Sequence, residues 1–127
     1  MYSVKGLITL LNAIGLKPNT ARIIAILVTS NKALTLREIC EATGYTKSRA
    51  SELMKLLEAS GLIEVNIVKK RAYYKAKIDE LVKRVERHLE KLVEALEAAH
   101  HESGIRDFME IASNIKVARK GGGFIDK

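Results

Sequence analysis

Apolar residues recur along this chain at helical spacing, interrupted once by a short stretch of strict alternation. Val4, Leu7, Ile8, Leu11 and Ile14 share one stripe, with Ser3 as a cap before them and Gly15 as a stop after them. Lys17-Pro18 then forces an extended link, because a proline ring crowds the residue before it out of helical space. From Asn19, taken as the cap, a second helix runs to about Thr29. Its Ile23, Ile24, Ile26, Leu27 and Val28 cover most of the circumference, which predicts a helix at the centre of the core. Thr35 and Glu38 stand at capping-box spacing before a short helix from Leu36 to about Thr43. Gly44 ends it, since glycine tolerates the left-handed conformation of a helix terminus. Thr46 caps the next helix, in which Ala50, Leu53, Met54 and Leu57 form the buried stripe, and Gly61 stops it.

The alternation comes next. Residues 62–68, LIEVNIV, read as a strand, Lys69-Lys70-Arg71 marks a turn without glycine, and Ala72-Tyr73-Tyr74-Lys75 returns. At least one of the two adjacent tyrosines must face inward, because successive strand residues point to opposite sides; both are read as supports of the hairpin. Beyond it a long helix is predicted from about Ile78 to His101. Ile78, Val82, Val85, Leu89, Leu92, Leu96 and Ala99 keep a 4,3 heptad spacing throughout, with Leu81 and Val93 widening the seam. At 1.5 Å per residue such a helix is about 36 Å long, more than so small a domain can cover, so its seam calls for a second helix. A homodimer is expected, with the interface at Ile78, Val82, Val85, Leu89, Leu92 and Leu96; the alternative is that the seam folds back on the last helix of its own chain. That last helix, from Ile105 to about Arg119, follows a Ser103-Gly104 break, and the tail from Lys120 through Gly121-Gly122-Gly123 has nothing with which to pack.

Charge changes the picture because it is uneven. The formal net charge is +7 over 127 residues. Residues 61–76 carry +3 and residues 77–102 carry −2, so basic character peaks at the hairpin and disappears along the heptads. Three adjacent cations at a hairpin tip repel one another and gain little in water, whereas opposite a phosphate backbone they release counterions. The lysines also suit an edge strand that must not aggregate, the plainer explanation. Around the helix that begins after Thr46, the side opposite the apolar stripe carries Ser48, Ser51, Glu52 and Lys55, and Thr46, Lys47 and Arg49 cluster at the N-terminal end. A helix that starts with donors and cations suits the major groove of double-stranded DNA. Thr46, Lys47, Ser48, Arg49, Ser51 and Lys55 are the expected groove and phosphate contacts. Lys69, Lys70 and Arg71 are assigned to the minor groove or the backbone beside it.

The run LTLREICEATGYTKSRASELMKLLEASGLIEV followed by KKRAYYKA resembles the winged helix-turn-helix of MarR, ArsR and TrmB-like transcriptional regulators, archaeal ones in particular. Ile39, Cys40, Gly44, Ala50 and Leu53 match that motif's apolar, small, glycine, small and apolar positions. The resemblance implies a mainly α fold with a small β-hairpin, and a transcriptional regulator that binds duplex DNA as a two-fold pair. The chain is expected to divide into a winged helix-turn-helix at 1–76, a dimerisation and C-terminal helix region at 77–119 and a flexible tail at 120–127. Two recognition helices related by a two-fold axis would address palindromic half-sites about 34 Å apart.

Other readings lose ground on chemistry. No nucleophile stands near a base at motif spacing and no glycine-rich phosphate loop precedes a helix, so no enzyme is expected and no cofactor is implied. ArsR-like sensors suggest a metal-responsive alternative using His88, His100, His101 and Glu102. Those histidines lie twelve or thirteen residues apart, about 120° and 220° round a helix, which argues against one site on one chain. A winged-helix module for protein interaction or chromatin in a larger nucleic-acid assembly is the other alternative. Cys40 is the only cysteine and is read as a packing residue. With no secretory pattern and no apolar run of eighteen residues, a cytoplasmic protein with no membrane contact is expected.

Overall fold

A computed structural model describes residues 4–120. Among these residues, six helices and a two-stranded antiparallel hairpin follow in the order α1 (Lys5–Ala13), α2 (Pro18–Thr29), α3 (Leu36–Thr43), α4 (Lys47–Ala59), β1 (Ile63–Val68), β2 (Arg71–Ala76), α5 (Ile78–Ser103) and α6 (Arg106–Lys120). Two compact units divide the chain, Met1–Val82 and Lys83–Lys127. The first takes in the opening turn of α5 because Leu81 packs into its core, a few residues past the boundary expected at 76.

In the first unit α2 is the central element. Ala21, Ile23, Ile24 and Ala25 have no exposed surface, and Leu11 of α1, Ile39 of α3, Leu53, Met54 and Leu57 of α4, and Leu62, Ile63 and Ala76 of the hairpin close around them. Each large aliphatic side chain buried there contributes roughly 1.5–3 kcal/mol relative to exposure. The start of α2 differs from expectation. Lys17, extended at ψ 154°, is the cap and Pro18 occupies the first helical position, while Asn19 lies inside the helix and its Oδ1 accepts from the Thr20 amide at 2.7 Å. Proline suits that first position, since it lacks an N–H that would be left without a partner and its φ is already helical. The expected cap of α1, Ser3, lies outside the described residues, as does the glycine run after Lys120. Lys120 itself ends α6 and does not begin a tail.

The hairpin pairs Ile63 with Ala76 through to Val68 with Arg71. Leu34, in the link between α2 and α3, adds a one-residue third strand: its amide donates to the Tyr74 carbonyl at 2.9 Å and its carbonyl accepts from the Tyr74 amide at 2.7 Å. This bridge ties the hairpin to the entrance of α3. Tyr74 is the inward-facing tyrosine, half-buried against the core. Burial, and then the negative charge of Glu58, raises its phenol above the ordinary 10.0.

In the second unit α6 turns back along α5 after Gly104, which takes a φ of 75°. The His100 ring Nδ1 lies 3.0 Å from the Ile105 carbonyl, Lys116 pairs with Glu97, and Arg119 pairs with Glu90 at 3.4 Å. Glu90, Val93, Glu97 and His100 are spaced 3, 4, 3, so α6 lies on a stripe centred near Val93. Val93 and Ala112 are both buried. The heptad seam lies about a quarter-turn round the helix from that stripe. Its Leu92 remains 42% exposed, so α6 leaves that position open, while Leu89 and Leu96 are half-buried. Folding back therefore occurs, but on a neighbouring face.

Candidate nucleic-acid interface

The local chemistry of the helix-turn-helix follows its sequence closely. The Glu38 amide donates to Thr35 Oγ1 at 3.2 Å and the Thr35 amide donates to Glu38 Oε1 at 2.9 Å, closing the capping box at the start of α3. The Thr35 amide, together with the Lys32 ammonium 3.3 Å away, holds the Glu38 carboxyl below its ordinary 4.5. Gly44 adopts φ 82° and its amide bonds back to the Cys40 carbonyl at 2.8 Å. Thr43, the one buried polar residue among those described, donates from its hydroxyl to the Ile39 carbonyl at 2.8 Å and accepts from the Tyr45 amide at 3.2 Å. That bond pins the turn, and with it the angle at which α4 leaves. Thr46 Oγ1 accepts from the Arg49 amide at 3.1 Å, so this hydroxyl caps α4.

Ala50, Leu53, Met54 and Leu57 anchor α4, which turns Thr46, Lys47, Ser48, Arg49 and Lys55 to the surface with Ser51 half-buried at the margin. The Arg49 Nη1 lies 2.8 Å from Glu52 Oε1, one turn further along the same exposed side. At the tip of the hairpin only Lys69 and Lys70 form the turn. Arg71 begins β2, paired with Val68, and is not part of the turn as expected. Lys69 and Lys70 have φ of 51° and 66°. A two-residue connection with both φ positive is a type I′ turn, whose twist matches the flanking strands but which asparagine and glycine occupy far more readily than lysine.

The hairpin and the helix-turn-helix meet at an open cleft of about 560 Å³. Arg37 of α3, Lys47 of α4, and Lys70 and Arg71 of the hairpin all line it. Nothing in the sequence placed Arg37 beside the hairpin; the Leu34–Tyr74 bridge brings the two together. The structure thus gathers Lys47, Lys70 and Arg71 of the expected residues on one rim, while Ser48, Arg49, Ser51 and Lys55 lie along the length of α4 and Lys69 lies at the tip. Among the described residues, no group of three or more His, Cys, Asp or Glu is placed to hold a metal. No helix among them is long and apolar enough to cross a membrane.

A capped three-residue turn between two helices, followed by a basic two-stranded wing, defines a winged helix-turn-helix protein. Residues 14–72, a little under half of the chain, match the model of the MarR family. No curated protein matches the sequence. Among solved structures the chain is similar to a MarR family transcriptional regulator from Streptomyces coelicolor, at 17% identity over 98% of this chain and 88% of that one with a TM-score of 0.52. It is similar also to a transcriptional regulator from Thermotoga maritima, at 18% identity over 94% and 85% with a TM-score of 0.53. A MepR variant from S. aureus bound to an oligodeoxyribonucleotide is 16% identical over 92% and 87%, with a TM-score of 0.53. At these identities the likeness is one of fold.

Proposed function

We propose that this protein is a transcriptional regulator that binds double-stranded DNA as a homodimer, without enzymatic activity. The observation that carries the reading is the convergence of Arg37, Lys47, Lys70 and Arg71 from three separate elements on one cleft. Like charges gathered at one place lose energy in the free protein, and a polyanion recovers it through counterion release. The MarR family match, and the oligonucleotide-bound relative of the same fold, support duplex DNA as that polyanion. In this reading α4 enters the major groove through Thr46, Lys47, Ser48, Arg49, Ser51 and Lys55, and Lys69, Lys70 and Arg71 reach the adjacent backbone or minor groove.

The dimer rests on the seam of α5. Ile78, Val82 and Leu92 are each more than two-fifths exposed, an apolar row that a single chain leaves in water. A second α5 would cover it, joining through Ile78, Val82, Val85, Leu89, Leu92 and Leu96, and would make the bound sequence palindromic.

Selection of bound duplexes from a random pool, followed by titration of the selected sequence at several salt concentrations, tests both parts. A palindrome is expected, with affinity falling by several orders of magnitude between 50 and 200 mM salt for a reader of six or more phosphates. A protein-interaction module built on apolar surface would show no enrichment and no such slope, and that result would remove the proposal.

A further inference from the structure

Glu52 occupies the centre of the face that α4 would turn toward DNA. With the buried stripe averaged over Ala50, Leu53, Met54 and Leu57, the opposite side of the helix falls between Ser48 and Glu52, with Lys55 beside them, at about 100° per residue. A carboxylate there runs against the charge of the nearby Lys47, Arg49 and Lys55. Lys47, Arg49 and Lys55 are all exposed on the same helix, and a polyanion approaching them meets the negative charge of Glu52 as well. If α4 enters a groove, Glu52 must enter with it, since its neighbours on either side are the expected contacts. The side chain is also held in place. Its Oε1 accepts from Arg49 Nη1 at 2.8 Å across one turn, with the two side chains 66% and 50% exposed. This uses one carboxylate oxygen, and the side chain retains the capacity to accept at the other.

We propose that Glu52 is a specificity-determining residue that accepts the exocyclic amino group of a cytosine in the major groove, with Arg49 holding its carboxylate in register. The inference rests on the proposed DNA binding and adds to it the identity of one base. In the major groove cytosine offers a donor without a neighbouring acceptor, and a carboxylate, which only accepts, matches it. Thymine presents an acceptor at the corresponding place and repels the carboxylate. The Arg49 guanidinium serves two ends: it cancels the local charge so that the carboxylate is tolerated near phosphates, and it fixes the rotamer so that little freedom is lost on binding. Gln at the same position would present an amide with both donor and acceptor, the pattern that pairs with adenine.

The experiment selects duplexes from a random pool with the wild-type protein, with Glu52→Gln and with Glu41→Gln. Glu41 is an exposed carboxylate on α3 paired with Arg37 at 3.4 Å, so its replacement makes the same change in net charge away from the α4 face. The wild type should require cytosine at one position of each half-site, by roughly 5- to 150-fold over thymine, the ordinary cost of one mismatched base pair. Glu52→Gln should lose that preference or exchange it for adenine and leave the other positions unaltered. Glu41→Gln should keep the cytosine. A selected sequence that is the same for wild type and Glu52→Gln overturns the role of Glu52 while leaving DNA binding intact. Tighter binding of Glu52→Gln to all sequences equally also overturns it, because Glu52 would then act only as a repelling charge. No enrichment of any duplex by the wild type overturns both this inference and the function beneath it.

Discussion

Replacing Lys69-Lys70 by Asn-Gly should make the protein more stable and a poorer DNA binder at once. Both lysines are held at positive φ, 51° and 66°, in a two-residue turn closed by the Val68–Arg71 pair. For a residue with a Cβ the left-handed region costs roughly 1–2 kcal/mol, because Cβ crowds the following carbonyl. Asn tolerates that region and Gly has no such penalty. The glycine introduces extra freedom in the unfolded chain, which removes about 0.5–1 kcal/mol of the gain. A net gain of about 1–2 kcal/mol remains, and for a domain near the size of Met1–Val82 each kcal/mol moves the midpoint by roughly 4–8 °C. The same change deletes two cations. Two wings in the proposed dimer make four cations per complex, so at about 0.9 counterions per phosphate contact the slope of log affinity against log salt should shrink by roughly 3.6, and the loss of affinity between 50 and 200 mM salt becomes about 150-fold smaller than in the wild type. Thermal denaturation followed by circular dichroism and fluorescence anisotropy with a labelled duplex measure the two quantities. A midpoint that stays or falls would show that the turn is not strained as its backbone angles imply. An unaltered salt slope would take the wing off the DNA.

The remaining expectations concern the supports of the site. Thr35→Ala should destabilise by about 0.5–2 kcal/mol in urea titration, since it removes the oxygen that caps α3, where the Glu38 amide donates at 3.2 Å. The Glu38 carboxyl sits below its ordinary 4.5 in the folded protein. Its contribution is therefore present above pH 4.5 and is lost as pH falls through the lowered value, so Glu38→Gln should flatten the acid limb of a stability–pH profile, and an identical limb would contradict the capping box. Leu53→Ala, at a position 1% exposed where α4 meets α2, should cost about 2–5 kcal/mol by chemical denaturation; a loss below 1 kcal/mol would mean the core is not closed there. Val82→Glu with Leu92→Glu should yield a folded monomer in sedimentation and cost DNA affinity by as much as 10²–10⁴ through lost bivalency, whereas a dimer that survives both would move the interface off the α5 seam.

The parts of this fold that are legible in the sequence are those whose causes lie within a few residues. Thr35 with Glu38, Gly44, Thr46 and Gly61 each satisfy or end a helix through their own immediate neighbours, so their spacing alone delimits α3 and α4. The errors arise where a local signal has a competitor. Asn19 is a good capping residue, but Pro18 before it is better suited to the first helical position and shifts the start by two residues. The heptads of α5 announce an apolar seam, yet they cannot say that α6 will choose the adjacent Val93 stripe, because that depends on where the Gly104 turn directs the chain. Leu34 is a single paired residue with no period to reveal it, and without its bridge to Tyr74 the approach of Arg37 to the wing has no trace in the chain.

The wing turn is a different case, since there the local signal is present and the structure overrides it. Lys-Lys is a poor occupant of a type I′ turn, and a chain selected for stability alone would carry asparagine and glycine. Two residues held against their own preference, both cationic, beside a cleft already lined by Arg37, Lys47 and Arg71, are hard to account for by folding. Conflicts of this kind between local preference and global fold concentrate where a protein meets its ligand. Glu52 poses the same problem in reverse, as a negative charge among cations on an exposed helix face. The two misfits, one of conformation and one of charge, occur on the wing and on the recognition helix. On the proposed reading, a groove with a phosphate wall and a base edge has a use for both.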